Sequence, residues 1–252
     1  MSLTLRYYTD LILNFPLNCS MDFSARSYQK ELLDLDDIPF NDIELNMREL
    51  DTINKNLGGH AITLCGLQKL IGNKKQITVC EIGCGGGDNL YALKKWCTKK
   101  NIHAYFTGID INANCIEYAK SKIKEEGFQF VLTDYRHQKF SEKPDLIFSS
   151  LFCHHFTNGE IVTMLQWMQA NSTIGFFIND LHRHPLAYHS IKWLTKIFSK
   201  SYLVKNDAPL SVLRGFKRKE WELLLQEADI TQYLLQWKWA FRWLIISQNK
   251  NT

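Results

Sequence analysis

Between residues 77 and 178 the chain alternates short apolar runs with longer stretches whose apolar residues recur at helical spacing. The runs 77–82, 104–109, 128–132, 145–150 and 173–178 have strand length, and the stretches 88–99, 113–126 and 160–168 read as helices. Runs that carry apolar residues at consecutive positions, rather than only at every second one, suit strands buried on both faces. Their order therefore predicts βαβ units and a parallel sheet covered by helices on either side. Segments 230–237 and 241–247 are β-rich with a very short link, which predicts an antiparallel hairpin at the end of the sheet. Ahead of the first strand, residues 26–57 are expected to be helical, broken at Pro39 and closed by Gly58-Gly59, with a further helix over 61–71. After the fifth strand come an expected aromatic-rich helix over 189–198, a polar loop to Phe216 and a helix over 217–228. One domain of 1–252 accounts for all of this: an N-terminal helical cap over 1–72, a core over 76–249, and an insertion over 181–216 packed across one end as a lid. Residues 1–20 are aromatic and aliphatic without a clear period, so Met1 and Met21 both remain candidate starts.

Composition narrows the class. Hydrophobic residues make up 45% and charged residues 22%, which is globular, and a net charge of +4 spread along the chain lacks the dense basic stripe of a nucleic-acid footprint. Lys94, Lys95, Lys99 and Lys100 cluster, but at the spacing of a solvated helix face. No apolar stretch approaches the roughly 20 residues that span a bilayer. Asp10 and Asn14 interrupt the only segment resembling a leader. The seven cysteines form no CxxC pair and no zinc-finger spacing, and several sit in apolar runs. Reduced thiols in a cytoplasm are the expectation, with no nucleic-acid partner and no membrane span. Oligomeric state is not readable from these patterns.

The most specific feature is Val79-Cys80-Glu81-Ile82-Gly83-Cys84-Gly85-Gly86-Gly87-Asp88, where a strand ends, the chain turns sharply and a helix begins. Glycines there let backbone approach a ligand closely. A dinucleotide site would want glycine or alanine at position 88 and no carboxylate beside the pyrophosphate. Glu81 and Asp88 would repel a pyrophosphate and attract an ammonium or a sulfonium. Asp88 is equally suited to cap the helix.

Read as E-x-G-x-G-x-G, this stretch resembles motif I of the class I S-adenosylmethionine-dependent methyltransferases, and the resemblance extends over residues 77–247. It implies a Rossmann-like α/β fold, a seven-stranded, mostly parallel sheet with an antiparallel last strand. It also implies S-adenosylmethionine as cofactor, held by Glu81, Gly83, Cys84, Gly85 and Gly87. Gly108-Ile109-Asp110-Ile111 resembles the family's second strand, so that Asp110 would hold the ribose hydroxyls and Ile111 would pack on adenine. Leu132-Thr133-Asp134-Tyr135 resembles the third-strand motif, with Asp134 meeting the adenine amino group beside Tyr135. The run from Pro144 to Leu151, including Ser149, resembles motif IV, the strand that leads to the methyl group. Ser149-Ser150-Leu151-Phe152 is neither the Asn/Asp-Pro-Pro-aromatic motif of nucleic-acid amino-methyltransferases nor a Pro-Cys nucleophile motif. A small-molecule acceptor is expected.

His154 and His155 follow the fourth strand, and His182 and His184 the fifth, at the sheet end where ligands of open α/β folds bind. A hydroxyl with a phenol-like pKa of about 10 must lose its proton as it attacks, and histidine accepts protons near neutrality. His155 is the expected general base with His154 in reserve; no metal is expected, although paired histidines leave one conceivable. His182, Arg183, Arg214 and Trp193 are candidates for holding the acceptor; the arginines are equally suited to tie loops to Asp180 or Asp207. Ile191, Trp193, Leu194, Ile197 and Phe198 read either as a pocket wall or as the buried stripe of a lid helix. More narrowly, the segment 26–59, Cys153-His154-His155 and the stretches 180–183 and 207–211 resemble bacterial small-molecule methyltransferases of the ubiquinone and menaquinone group. The closest likeness is to a subgroup associated with phenolic lipids and polyketides. That implies O-methylation of a phenolic, quinone-like or polyketide-type compound. The alternatives are decarboxylation or cyclisation that uses the bound cofactor for its charge, and a cofactor-binding accessory protein.

Overall fold

A computed structural model of the protein describes residues 21–35 and 38–249; the aromatic segment 1–20 and the choice between Met1 and Met21 lie outside the described residues. Seven strands, β1 (Gln76–Ile82), β2 (His103–Asp110), β3 (Phe128–Leu132), β4 (Leu146–Ser150), β5 (Gly175–Leu181), β6 (Tyr233–Lys238) and β7 (Arg242–Gln248), form one sheet in the order β3-β2-β1-β4-β5-β7-β6. The pairs among β1–β5 are parallel, and β7 runs antiparallel between β5 and β6. Strand order reverses between β1 and β4, the crevice where such sheets bind ligands.

The consecutive apolar residues of these runs are explained by burial on both faces. Along β1, β4 and β5 successive side chains enter opposite cores, as a pleated strand requires. Val79, Phe148 and Phe177 meet Leu67, Leu90 and Leu93 on one face, while Cys80, Ile147 and Phe176 meet Met164, Trp221 and Leu225 on the other. The first layer is built by α2 (Gly59–Ile71), α3 (Asp88–Lys99) and α4 (Ala113–Lys122). The second is built by α5 (Asn158–Asn171) and α8 (Arg218–Glu227). Over the carboxyl ends of the strands lie α1 (Phe40–Asn56), α6 (Pro185–Phe198) and α7 (Tyr202–Arg214).

Two expectations change. Residues 26–35 are not helical; they form an extended strap with a single 3-10 turn at Leu32–Asp34. Tertiary partners claim its backbone. Leu32 and Leu33 donate to the Asp207 carboxylate at 2.8 and 3.0 Å, Ser27 donates to Leu213 O, and Arg214 Nη1 donates to Gln29 O. The expected polar loop up to Phe216 contains α7, with Pro209 inside it. Burial of Leu203, Val204, Leu210 and Val212 outweighs the helix-breaking tendency of proline there.

Candidate active site

The turn after β1 has the geometry its glycines imply. Gly83 has φ 66°, and a Cβ there would overlap the Phe152 ring. Gly87, at φ 77°, is the left-handed N-cap of α3. Asp88 therefore does not cap that helix. Its Oδ2 accepts from His60 Nε2 at 2.8 Å and from Asn54 Nδ2 at 3.2 Å. Glu81 is buried; Oε1 accepts from Asn89 Nδ2, while Oε2 has no partner. Burial, reinforced by Asp88, pushes its carboxyl well above the usual range. Asp110 accepts from Gly85 N at 2.8 Å and Asn112 N at 2.9 Å, which aims its remaining lone pairs. Glu81, Gly83, Cys84, Gly85, Asp88 and Asp110 line a cavity of about 840 Å³, and Ile111 lies on its wall, 73% exposed.

The cavity continues to the turn after β4. Leu151 there has φ 54°, a left-handed conformation that is uncommon for a branched side chain and marks a backbone held in place by its surroundings. The 3-10 turn Cys153–His155 follows. His154 is buried, with Nδ1 2.8 Å from Asp180 Oδ1 and Nε2 3.5 Å from Glu31 Oε1. Burial opposes its charge, but the two carboxylates outweigh it and lift the imidazole to about 9. His155 also lines the cavity. Its Nδ1 lies 3.1 Å from Asp34 Oδ1, and Nε2 comes no nearer than 3.8 Å to Glu31 Oε2. Glu31, His154 and His155 bring one potential ligand atom each within 4.8 Å of one another. The cluster is balanced as histidinium and carboxylates.

Several candidates lie elsewhere. Arg183 is buried as a tie: it donates to Phe23 O, Ser24 O and Gly215 O and pairs with Glu220 at 2.6 Å. His182 accepts from Trp237 Nε1 and packs edge-on against Trp243, and burial lowers its pKa to about 4. Neither lines the cavity. Trp193 is 70% exposed, whereas Ala187, Ile191 and Leu194 line the cavity from the neighbouring face of α6. Arg214 reaches the cavity wall, but its Nε and Nη1 are engaged by His154 O, Gln29 O and Asp34. On the other side of the sheet end, Asp134 is engaged by Arg136 and Tyr135 packs among Phe152, Phe156 and Trp167. Ser149 is fully buried against Cys153, and none of these three lines the cavity. Sequence reading missed Glu31, Asp34, Asn54, His60 and Arg242. Glu31 and Asp34 stand three apart in a presumed helix, a spacing that reads as a solvated face and signals no site.

Residues 79–175 match the family model described as a methyltransferase domain. The chain is 26% identical over 106 residues to the malonyl-[acyl-carrier protein] O-methyltransferase of Acetivibrio thermocellus, covering 41% of this chain. It spans only about a third (36%) of that relative's length. Among solved structures it resembles the plantazolicin methyltransferase BpumL in complex with SAH, at TM-score 0.62 and 17% identity over 84% of this chain and 96% of that one. It also resembles human N-acetylserotonin methyltransferase in complex with SAM, at TM-score 0.57 and 18% identity over 84% of this chain and 56% of that one. Sheet order, glycine turn and the domain matched over residues 79–175 are those of the fold that class I S-adenosylmethionine-dependent methyltransferases share. The residues present fit the cofactor of that class. A buried, unpartnered Glu81 oxygen suits its ammonium, and Asp110 suits a pair of hydroxyls. No helix of the described residues is long and apolar enough to cross a membrane.

Proposed function

We propose that the protein methylates a hydroxyl group of an apolar small molecule, a phenolic, quinone-like or polyketide-type compound. The bound cofactor supplies an electrophilic methyl group on a sulfonium. Glu81 and the glycine turn hold its amino-acid portion, Asp110 its ribose and Ile111 the face of its adenine. The acceptor lies toward Leu33, Ile38, Ile191, Leu194, Val212 and Phe241, which give that part of the cavity an apolar wall.

The observation that carries this reading is the His155–Asp34 contact. The carboxylate holds Nδ1 and fixes the tautomer, leaving Nε2, which makes no hydrogen bond, to take the acceptor's proton. His154 cannot serve, because it is already protonated and held at both nitrogens. The test is acceptor-dependent formation of S-adenosylhomocysteine across a panel of phenols, matched with amines and carboxylic acids. Methyl transfer to phenols that falls about a hundredfold in His155→Ala supports the reading. A preference for amines or acids, or a variant as active as the wild type, counts against it.

A further inference from the structure

Arg242 opens β7 and pairs with Leu181 at the carboxyl end of β5, so it sits at the ligand-binding edge of the sheet. Its side chain is buried, at 3% exposure. Only Nη2 has a partner, donating to Asn54 Oδ1 at 3.0 Å, while Nε and Nη1 have none. A Cβ on Gly59 would stand 3.1 Å from Nη1, so that glycine gives the guanidinium its room. Burial lowers its pKa to about 10, with Asp180 and Asp88 pulling the other way, so it is charged at neutral pH. A buried guanidinium with free N–H donors and no carboxylate against it calls for an anion.

The surroundings say which anion. Arg242 lines the same cavity as Glu81. It is joined to the glycine turn through Asn54, which accepts from Arg242 and donates to Asp88. Asp88 in turn is the strongest charged neighbour of Glu81. One stretch of wall thus offers a vacant carboxylate oxygen and vacant guanidinium donors. An α-amino acid presents the complementary pair, an ammonium and a carboxylate. The preceding Ala240 and Phe241 have φ 59° and 55°, left-handed conformations that a hairpin normally gives to glycine or asparagine. Both line the cavity, so the turn accepts strain where it delivers Arg242.

We propose that Arg242 binds the carboxylate of the methionine portion of S-adenosylmethionine, opposite Glu81 on the ammonium. This rests on the cofactor reading above and extends it to the last strand, outside the matched domain. Calorimetry on the full chain tests it with S-adenosylhomocysteine, S-adenosylmethionine, its decarboxylated analogue and 5′-methylthioadenosine, which lacks the amino-acid portion. On the wild type, decarboxylation is expected to weaken binding about tenfold or more, the size of a charge-assisted bond. Arg242→Met is expected to weaken S-adenosylhomocysteine by a similar factor and to leave 5′-methylthioadenosine unchanged. Arg242→Lys should fall between. Equal wild-type affinity for S-adenosylmethionine and its decarboxylated analogue overturns the proposal, and that comparison needs no variant to fold. An equal loss of both thioethers in Arg242→Met overturns it too, assigning Arg242 to structural support. Wild-type protein that binds none of these ligands refutes the cofactor reading itself.

Discussion

Asp34 meets Nδ1 of His155 at 3.1 Å across 121 residues of chain, so the N-terminal strap supplies the carboxylate that orients the imidazole on the cavity wall. The same strap places Glu31 against His154. Two neighbouring histidines thereby acquire different properties: one is locked as a cation, and the other keeps an unengaged nitrogen.

Asp34→Asn should lower turnover roughly tenfold or more, because an amide can present its N–H to Nδ1 and shift the proton to Nε2. Affinity for S-adenosylhomocysteine should stay within about twofold, since the imidazole acts on the acceptor and the loss is one of proton transfer. Steady-state kinetics beside calorimetry checks this, and a matching loss of cofactor affinity would contradict the positioning role.

Asp110→Ala should weaken cofactor binding by roughly 1.5–3 kcal/mol for each ribose hydrogen bond lost. It also removes the acceptor for Gly85 N and Asn112 N, so the melting temperature of the ligand-free protein should fall. Titration of the folded variant decides the first effect and thermal unfolding the second; unchanged affinity would remove Asp110 from the site.

His154 makes stability depend on pH in a defined direction. Its folded pKa of about 9 lies above the ordinary value of 6.5. The ion cluster therefore contributes its full stability below about pH 6.5 and loses it as pH rises through about 9, a few kcal/mol at most. Urea midpoints for the wild type and His154→Gln should converge between pH 7 and 10. A constant gap across that range would show that His154 is not protonated in the native state.

Arg183→Met should destabilise the fold by about 3–5 kcal/mol, because it leaves three carbonyl groups without that donor and Glu220 with only Lys217 N against it. The KM for any acceptor should barely change in the residual folded protein. A selective rise in KM with normal stability would restore the substrate role that the sequence suggested.

Gly83→Ala should prevent stable folding or cofactor binding, since it joins a left-handed φ to an overlap with the Phe152 ring. Adding Phe152→Ala should recover part of the thermal stability. If the double variant is no better than the single one, the clash is not the cause.

Local pattern was enough for the sheet and for part of the cavity lining. Doubly apolar runs such as 77–82 and 145–150 carry their burial in consecutive residues, and a glycine turn between strand and helix shows its backbone demands within ten positions. Glu81, Asp110 and Ile111 were legible for that reason: each stands next to the strand end that positions it. The rest required the tertiary structure. Glu31 and Asp34 lie in a strap that looks helical by spacing but is extended, because Asp207 and Arg214 claim its polar groups. Arg183 and Arg214 are indistinguishable as letters from Arg242, yet packing surrounds Arg183 with carbonyls and leaves two donor nitrogens of Arg242 unpaired. Whether a charge is a tie or a ligand depends on which chemical groups surround it after folding. Several of those groups come from segments more than a hundred residues apart, a distance over which local periodicity carries no information.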